Sequence, residues 1–350
     1  MANIKIGNKT VGYSEPVLVI AEVSLNHNRD INIAKRLIDA ASGAGCDVVK
    51  FQTFMAEGFI SDRGMTYKYM QNGEEKVERQ FDMFKRLELP FEWHKELKEY
   101  AEGKGLIFMS TPGDEKCADF LEDLGAVAFK IGSDDLTNLR LVEHIAKKNK
   151  PIIISTGMST MEEIDDAVNV IYATGNKNLA ILHCSSEYPA RAENINLKVI
   201  GALKKRFGVP IGFSDHSVGI NIAIAAIGAG ACVIEKHITL DKRMEGPDHS
   251  FSLEPNELVA LVRAIREAGK AVGVAKKSLT AQEVKMKQIS RKTIVASRFI
   301  KKGEVINSNL AVKRANGIGL EPKFLTKIIG KKAAININRD KPILQEYLVD

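Results

Sequence analysis

The sequence predicts an α/β fold, a (β/α)8 TIM barrel followed by a small, separate C-terminal domain. From Pro16 onward, short β-branched runs alternate with amphipathic helical runs, which indicates parallel strand pairing. The alternation gives eight strand–helix units. Nearly every predicted strand also ends in polar or ionisable residues. Active sites of barrels lie at those ends, whereas an open sheet collects its site at one switch point.

The predicted strands are short and are separated by helical segments, several of which end in glycine, as helix C-termini often do. The strands are predicted at 17–23, 47–54, 106–112, 126–133, 151–157, 179–189, 210–216 and 232–240. Representative helices are predicted at 30–44, 91–103, 161–173 and 255–272.

Two segments depart from the alternation. Residues 56–89 add about thirty residues after the second strand, and a long insertion on the catalytic face is typical of a lid or an oligomer contact. After Gly273 the pattern breaks into a polar, partly helical linker at 275–291 and a small domain at 292–350. The predicted organisation is therefore a barrel at 1–274, the linker, and a tail domain that is marginal alone and is expected to lean on a partner surface.

Composition and charge exclude several classes of protein. Hydrophobic residues make up 45% of the 350, but no run of 18 uncharged apolar residues exists, so no membrane span is expected. The N-terminus lacks a signal-peptide pattern, and the four cysteines show no metal-type spacing, which predicts reduced thiols in a cytoplasmic protein. The net charge of +6 comes from scattered lysines without a nucleic-acid motif. No nucleic-acid partner is expected, and a modest positive field favours a small anionic substrate.

Two histidines end the seventh and eighth predicted strands. Either one alone is expected merely to hydrogen-bond within a loop. As a pair at neighbouring strand ends, near Asp215, Glu235 and Asp248, His216 and His237 predict a catalytic divalent metal with open coordination positions. A closed structural zinc site is not expected, because no cysteine lies near enough in sequence.

Two lysines lie late in predicted strands in apolar surroundings, Lys50 in VVKFQ and Lys130 in AFKIG. Because lysine is rarely buried unless it is paired, they are predicted to be Schiff-base nucleophiles, as in a class I aldolase, or anion ligands. Hydroxyl side chains at nearby strand ends favour a cradle for a phosphate and a carboxylate. They are Ser110, Thr111, Ser133, Ser155, Thr156 and Ser214. Glu22 lies at the end of the first predicted strand. It is predicted to act as a general acid/base, to form a salt bridge with Lys50, or to do both.

At these residues the chain resembles the sialic acid synthase family, which includes N-acetylneuraminate and legionaminate synthases. The resemblance covers essentially the whole chain in the family's motif order. The segments that carry it are IAEVSLNHN, VVKFQTF, MSTP, FKIGS, ISTGM, LHCSSEYP, GFSDHS and VIEKHITLDKRMEGPDHSFSLEP. The last sixty residues resemble the family's antifreeze-like domain, a SAF domain of β-clip fold.

The resemblance implies that phosphoenolpyruvate, an open-chain N-acetylated hexosamine of the N-acetylmannosamine type and water give a nine-carbon 2-keto acid and phosphate, with cleavage of the C–O bond. It implies a divalent metal on His216 and His237, usually Mn2+, with Mg2+ or Co2+ as alternatives. The phosphoenolpyruvate ligands it implies are Lys50, Lys130, Ser133, Ser155 and Ser214, with Ser110, Thr111 and Thr156 close by.

The resemblance also assigns the sugar end of the site. Glu22 and Asp248 would position the sugar or handle protons, and Gln52 and Tyr188 would line the pocket. Arg314 would reach the N-acetyl group from the tail of a second subunit, which implies a domain-swapped homodimer.

Several alternatives remain open at the level of sequence. The sugar is N-acetylmannosamine or a diacetamido-trideoxy hexose, as for a legionaminate or pseudaminate synthase, and SSEYP favours the neuraminate and legionaminate branches. Another phosphoenolpyruvate-condensing barrel, acting on an aldose phosphate, would need a second anion site. A carbohydrate- or ice-binding protein without activity leaves the polar barrel rim unexplained. Asp134–Asp135 replace the family's usual Gly-Glu on the sugar side of the pocket.

Overall fold

The chain forms two compact units in a computed structural model that describes residues 3–71 and 73–350. The first unit ends at Gly273, and the second is Val274–Asp350. Met1 and Ala2, part of the segment assessed for a signal peptide, and Asn72, in the predicted long insertion, lie outside the described residues.

The strands follow one another in chain order as follows. They are β1 (Ile4–Ile6), β2 (Lys9–Val11), β3 (Leu18–Glu22), β4 (Val48–Thr53), β5 (Thr66–Gln71), β6 (Glu74–Arg79), β7 (Ile107–Pro112), β8 (Phe129–Ile131), β9 (Ile152–Ser155), β10 (Leu179–Cys184), β11 (Ile211–Asp215), β12 (Val233–His237), β13 (Lys292–Ala296), β14 (Leu310–Arg314), β15 (Lys332–Ala333) and β16 (Leu348–Val349).

The helices of the first unit lie mostly between successive barrel strands, and the last two helices of the chain lie in the second unit. They are α1 (Ile31–Ala44), α2 (Ala56–Phe59), α3 (Gln80–Leu87), α4 (Trp93–Gly103), α5 (Glu115–Asp123), α6 (Leu139–Lys147), α7 (Met161–Ala173), α8 (Ala192–Ile195), α9 (Val199–Phe207), α10 (Asn221–Gly228), α11 (Pro255–Val272), α12 (Ala281–Ser290) and α13 (Leu325–Ile328). Their ends follow local chemistry: the Asp30 side chain caps the N-terminus of α1, and Gly45 ends that helix in the left-handed region.

The predicted barrel is confirmed. Within the described residues, eight strands form one parallel sheet in the order β7-β4-β3-β12-β11-β10-β9-β8, and its two end strands lie against each other. Every predicted barrel strand is present, although the fourth is only Phe129–Ile131 and the sixth stops at Cys184. Ser186 and Tyr188 therefore belong to the loop after β10 rather than to the strand itself.

A hairpin that the sequence argument did not predict precedes the barrel. β1 pairs antiparallel with β2, and Ile4, Ile6 and Val11 are buried with inward-facing barrel residues such as Ile20 and Val48. Burial of these side chains removes apolar surface from water and fills the N-terminal end of the barrel interior. The polar ends of the strands are thus at the opposite end from this apolar plug.

The predicted long insertion, residues 56–89, has a structure of its own. It contains α2, the antiparallel hairpin of β5 and β6, and α3. Tyr69, Met83 and Leu87 of the insertion form a buried cluster with Leu25 and Phe54, which follow strands β3 and β4. The insertion is therefore packed onto the end of the barrel that carries the polar strand ends.

The second unit has a separate small core. Strand β13 pairs antiparallel with β14, and β15 pairs antiparallel with β16. Helix α12 precedes them inside the predicted linker and starts with a capping box of Thr280 and Glu283. The buried side chains of the core are mostly isoleucine, at Ile294, Ile300, Ile306, Ile328, Ile337 and Ile343.

Candidate active site

A cavity of about 590 Å³ lies at the C-terminal ends of the barrel strands. Its volume is in the range of ligand pockets in enzymes. Most of the site residues predicted from the sequence line it. They are Glu22, Lys50, Gln52, Thr111, Lys130, Ser133, Ser155, Tyr188, Ser214, His216, His237 and Asp248.

The alternation of side chains along each strand decides which residues face the cavity. On β12, Val233 lies in the apolar interior, whereas Glu235 and His237 line the cavity. The intervening Ile234 packs instead in the layer between strands and helices. Because successive side chains of a strand point to opposite faces, each strand contributes every second residue to the cavity.

Two lysines and two glutamates form a buried charged cluster, here called the quartet: Glu22, Lys50, Lys130 and Glu235. Their exposed fractions lie between 1% and 4%. Lys50 Nζ lies 2.8 Å from Glu22 and 3.6 Å from Glu235, so the predicted Glu22–Lys50 ion pair is present. Lys130 Nζ is 3.9 Å from Glu235. The quartet is formally neutral, but Lys130 is held less closely by a carboxylate than Lys50 is.

Hydroxyl groups complete the contacts of the quartet. Thr111 Oγ1 accepts from Lys50 at 3.1 Å, Ser155 Oγ accepts from Lys130 at 2.6 Å, and Ser214 Oγ donates to Glu235 at 2.8 Å. Nearby, Ser133 Oγ accepts the backbone N–H of Gly157 at 2.9 Å. A side chain at Gly157 would collide with the hydroxyls of Ser133 and Ser186, so glycine keeps this wall open.

Burial and mutual charge shift the proton affinities of the quartet. Burial raises the pKa of Glu22 to about 7, against the opposing charge of Lys50. Burial would lower the pKa of Lys50, but Glu22 and Glu235 outweigh it and raise that pKa. For Lys130 burial prevails, and its pKa is lowered. The two lysines therefore differ, because only Lys50 has a carboxylate in direct contact.

The two predicted metal ligands are brought together. The rings of His216 and His237 have centroids 5.2 Å apart, and the ring of Tyr188 lies 4.2 Å from that of His216. His216 Nδ1 lies 2.9 Å from the carbonyl oxygen of Ser185, which can only accept, so Nδ1 carries a proton and Nε2 is the nitrogen available to a metal. Burial lowers the pKa of His237 well below its usual value, so this ring is neutral.

These two histidines fit a divalent metal with open positions. The buried Nδ1 of His237 has no hydrogen-bond partner among the described residues, and it faces Asp248 Oδ2 at 3.5 Å. A neutral imidazole with an unpartnered nitrogen is a suitable donor. Within residues 3–71 and 73–350, no group of three or more His, Cys, Asp or Glu side chains is arranged to hold a metal. The remaining ligands of a metal here would therefore be solvent or substrate oxygens.

A series of hydrogen bonds leads from Asp248, which lies beside His237, to Glu22 of the quartet. Ser24 Oγ donates to Asp248 at 2.7 Å, and Gln52 Nε2 donates to Ser24 at 3.1 Å and to Glu22 at 3.5 Å. Burial raises the pKa of Asp248. Gln52 and Asp248 thus belong to one polar surface that is shared with Glu22.

Three predicted site residues do not line the cavity. Ser110 bonds Thr53 at 2.6 Å, and Thr156 donates to the carbonyl oxygen of Leu182 at 3.0 Å, so direct ligand contact from these two is not supported. The side chain of Ser110 points to the opposite face of the sheet from that of Thr111, and the side chain of Thr156 to the opposite face from that of Ser155. Arg314 is exposed at the end of β14 in the second unit.

Sequence reasoning overlooked two features of the site. Glu235 was noted at a strand end but received no role, although it has the same strand parity as His237 and contacts both lysines. The insertion supplies an aromatic and aliphatic wall whose function was not predicted in detail. Phe59, Met83 and Phe84 of the insertion form this wall together with Leu25 and Phe54, which follow strands β3 and β4.

Comparison with known proteins decides the family. Residues 37–277 match the model of the NeuB family, and residues 291–349 match the model of the SAF domain. The chain belongs to the NeuB family. The resemblance identified from the sequence motifs, including the SAF domain, is thereby confirmed.

Relatives of this NeuB chain are named as synthases. It is 45% identical to an N,N'-diacetyllegionaminic acid synthase of Campylobacter jejuni, over 93% of this chain and 98% of that protein. It is 36% identical to the human N-acetylneuraminate-9-phosphate synthase, over 97% of this chain and 94% of the human protein. The chain is therefore an enzyme of the sialic, legionaminic and pseudaminic acid synthase family.

A solved structure supports the fold. The N-acetylneuraminic acid synthetase of Leptospira borgpetersenii, in complex with citrate, superposes with a TM-score of 0.74 at 34% identity. The match covers 81% of this chain and 94% of that one. Separately, no helix in residues 3–71 and 73–350 of the NeuB chain is long and apolar enough to cross a membrane.

Proposed function

We propose that the enzyme condenses phosphoenolpyruvate with an open-chain N-acetylated hexose and water to give a nine-carbon 2-keto acid and phosphate. The observation that carries the proposal is the joining of two features in one cavity. A buried lysine pair with hydroxyl donors suits a phosphorylated carboxylic acid, and a histidine pair suits a metal that polarises a carbonyl oxygen.

The lysine end of the cavity is assigned to phosphoenolpyruvate. Lys50 and Lys130 neutralise its carboxylate and phosphate, while Ser133 and Ser155 donate hydrogen bonds. The Ser214 hydroxyl, which donates its proton to Glu235, lines the same end of the cavity. Fixed donors in a cavity with little water stabilise negative charge more strongly than exposed ones do. This arrangement holds C3 of phosphoenolpyruvate towards the histidine end, where carbon–carbon bond formation with the sugar aldehyde is proposed.

The histidine end of the cavity is assigned to the metal and the sugar aldehyde. His216 and His237 would hold the ion, and Mn2+ is proposed with Mg2+ and Co2+ as substitutes. When bound, the ion would supply Lewis-acid polarisation of the aldehyde oxygen. Asp248 and Gln52 accept and donate hydrogen bonds to sugar hydroxyls, and Glu22, with its pKa raised to about 7, exchanges a proton near neutral pH.

Two features favour a diacetamido-trideoxy hexose as the sugar. The apolar wall from the insertion suits acetamido methyl groups and a deoxygenated C6 better than free hydroxyls. Apart from Lys50 and Lys130, Lys68 is the single lysine or arginine among the described cavity-lining residues, and Glu75 pairs with it at 3.1 Å. A sugar phosphate would therefore lack a second anion site, as an aldose-phosphate synthase would require.

The second unit is assigned to sugar recognition in a dimer. Arg314 is exposed, and its guanidinium can donate several hydrogen bonds to an amide oxygen. In the proposed domain-swapped homodimer, each SAF domain would place its Arg314 at the barrel of the other subunit. Arg314→Ala should raise KM for the sugar by about tenfold and leave KM for phosphoenolpyruvate unchanged.

A phosphate-release assay tests the reaction. The full-length enzyme with Mn2+ and phosphoenolpyruvate is offered the diacetamido-trideoxy hexose, N-acetylmannosamine, its 6-phosphate and the altrose-type analogue. The highest kcat/KM is expected with the first sugar and the lowest with the 6-phosphate. Failure of every sugar to release phosphate would overturn the proposal.

Isotope labelling tests which bond of phosphoenolpyruvate is cleaved. Oxygen-18 in the bridging position of phosphoenolpyruvate should appear in phosphate, and its retention in the keto acid would contradict C–O cleavage.

The metal assignment has a measurement of its own. Titration calorimetry with Mn2+ should show one site in the wild-type protein and none in His216→Ala or His237→Ala, with circular dichroism unchanged. His144→Ala, which removes a half-buried histidine paired with Asp119 outside the cavity, is the matched control and should bind Mn2+ as the wild type does. Equal binding by all variants would contradict the assignment.

A class I aldolase is the second candidate, because the lowered pKa of Lys130 is what a Schiff-base lysine needs. Borohydride treatment in the presence of pyruvate would then add a stable adduct to Lys130, visible by mass spectrometry. We expect no adduct, since Lys130 already donates to Ser155 and lies near Glu235.

A further inference from the structure

Glu235 has a position that the proposed reaction does not explain. Its carboxylate lies between the two lysines that would hold the substrate anion, 3.6 Å from Lys50 and 3.9 Å from Lys130. Both distances are within ion-pair range but longer than a hydrogen bond, and the three groups are buried together. A fixed negative charge at this range opposes any second anion that approaches the lysines.

The contacts of Glu235 hold it in this place. Ser214 donates to Oε1 at 2.8 Å, whereas Oε2 has no hydrogen-bond partner among residues 3–71 and 73–350. A carboxylate oxygen that is buried without a partner is costly, since it has lost water without a replacement. Glu235 is therefore anchored on one side and unsatisfied on the side that faces Lys50.

We propose that Glu235 is a positioning residue that acts as a built-in counter-ion: it holds the two lysines when no ligand is present and competes with the bound anion. In the absence of ligand it offsets the repulsion between Lys50 and Lys130. With phosphoenolpyruvate or phosphate bound, its charge weakens the lysine–anion attraction, so that the product phosphate leaves. Glu235 thus limits anion affinity in favour of turnover.

The number of carboxylates beside the two lysines supports this role of Glu235. Glu22 already pairs with Lys50 at 2.8 Å, so one glutamate would satisfy one lysine and leave Lys130 free for an anion. The chain instead has two carboxylates for two lysines, which leaves the empty cluster neutral. An anion that enters must therefore displace or tolerate Glu235, and its binding is weaker than an unopposed lysine pair would allow.

The test is the binding of inorganic phosphate to the full-length protein without added metal or sugar, measured by titration calorimetry. Glu235→Gln should bind phosphate at least tenfold more tightly than the wild type, and its Tm should rise more on addition of phosphate. In turnover it should show a lower kcat and a stronger product inhibition by phosphate. A variant that binds phosphate with equal or lower affinity would overturn the inference.

Two further variants serve as a charge control and as a replacement for Glu235→Gln. Asp134→Asn removes one negative charge from the cavity lining, but Asp134 forms no ion pair with either lysine in the described structure, and a gain in phosphate affinity of less than threefold is expected. If Glu235→Gln does not fold, Glu235→Asp is measured instead. Its shorter arm withdraws the carboxylate, and a smaller gain in affinity is expected. The same tenfold gain in Asp134→Asn would show a general effect of charge and contradict a specific role of Glu235.

The inference rests on the proposed function only in naming phosphoenolpyruvate as the natural anion. Phosphate binding requires neither sugar nor catalysis. Failure of the phosphate-release assay with tighter phosphate binding by Glu235→Gln would reject the reaction alone. Normal turnover with unchanged phosphate binding would reject the counter-ion alone.

Discussion

The barrel contains two buried lysine–carboxylate sets near the same strand ends, one inside the cavity and one outside it. Inside, the quartet lines the cavity. Outside, Lys236 lies 2.9 Å from Asp215, and both are 1% exposed or less. Asp215 also accepts from the backbone N–H and the hydroxyl of Ser217, and Lys236 donates to the carbonyl oxygen of Ser217.

The two sets differ in how completely they are satisfied. In the outer pair, each carboxylate oxygen of Asp215 has a hydrogen-bond partner. Ser217, in the loop that follows Asp215, contacts both Asp215 and Lys236. The inner set leaves Glu235 Oε2 without a hydrogen bond and Lys130 with its nearest carboxylate 3.9 Å away. Ammonium and carboxylate groups at adjacent strand positions thus form a fully bonded pair outside the cavity and an incompletely bonded set that lines it. The incomplete satisfaction of a buried group marks the functional face.

Breaking the outer pair should give the largest change in stability. Lys236→Met leaves Asp215 buried without its counter-charge, which should lower the free energy of unfolding by about 3–5 kcal/mol. KM for phosphoenolpyruvate should stay within twofold in the folded fraction. Urea unfolding followed by circular dichroism measures the first quantity and steady-state kinetics the second. A stable Lys236→Met variant would remove the contrast between the two sets.

The matched change in the inner set should affect ligand binding instead. Lys130→Met should lower kcat/KM for phosphoenolpyruvate by about a hundredfold, as expected for the loss of a charge-assisted contact of ~3 kcal/mol. Its unfolding free energy should fall by less than that of Lys236→Met, because Glu235 keeps Lys50 as a neighbour. Urea unfolding of both variants under the same conditions measures this difference in unfolding free energy.

The inner set should also make stability depend on pH. Burial raises the pKa of Glu22 to about 7 from 4.5, so the folded state holds a proton that the unfolded state has released. The contribution is fully present below pH 4.5 and is lost as the pH rises through 7, by an amount on the order of 3 kcal/mol. Glu22→Gln should flatten this part of the curve of unfolding free energy against pH. An unchanged slope in the variant would assign the dependence to another group.

The alternation of side chains along β7 predicts the smallest effect, a difference in KM for phosphoenolpyruvate between variants of two adjacent residues. Thr111→Val removes the acceptor for Lys50 and should raise KM for phosphoenolpyruvate about fivefold, as for one hydrogen bond of ~1 kcal/mol. Ser110→Ala should leave that KM unchanged and cost about 1 kcal/mol of stability, because it loses only its bond to Thr53. Equal KM values for both variants would show that parity does not select the ligand contacts here.

The fold and most of the site follow from local sequence signals. Alternation of strands and helices predicts the barrel, and polar strand ends predict the cavity. The prediction treated a strand end as one cluster, however, and so grouped Ser110 with Thr111 and Thr156 with Ser155. The period of two along a strand separates them, since Met109 lies inside the barrel and Ser110 is one position further on.

Other features were beyond a reading of separate segments. Glu235 gains its role from distances to two lysines on other strands, which no local pattern encodes. The structure of the insertion depends on contacts of Met83 and Leu87 with Leu25 and Phe54, which are distant in sequence. Hairpin β1–β2 is too short to have a clear period, and it is held by burial against the barrel interior.

The apolar plug formed by β1 and β2 also bears on the order of events during turnover. With Ile4, Ile6 and Val11 filling the far end of the barrel, a ligand reaches the lysines from the rim, past the histidines and the insertion. If the two ends of the cavity bind phosphoenolpyruvate and the sugar as proposed, phosphoenolpyruvate would have to bind before the sugar, and phosphate would leave after the keto acid. A cavity closed at one end in this way predicts ordered sequential kinetics for the proposed reaction, with phosphoenolpyruvate binding first and phosphate released last.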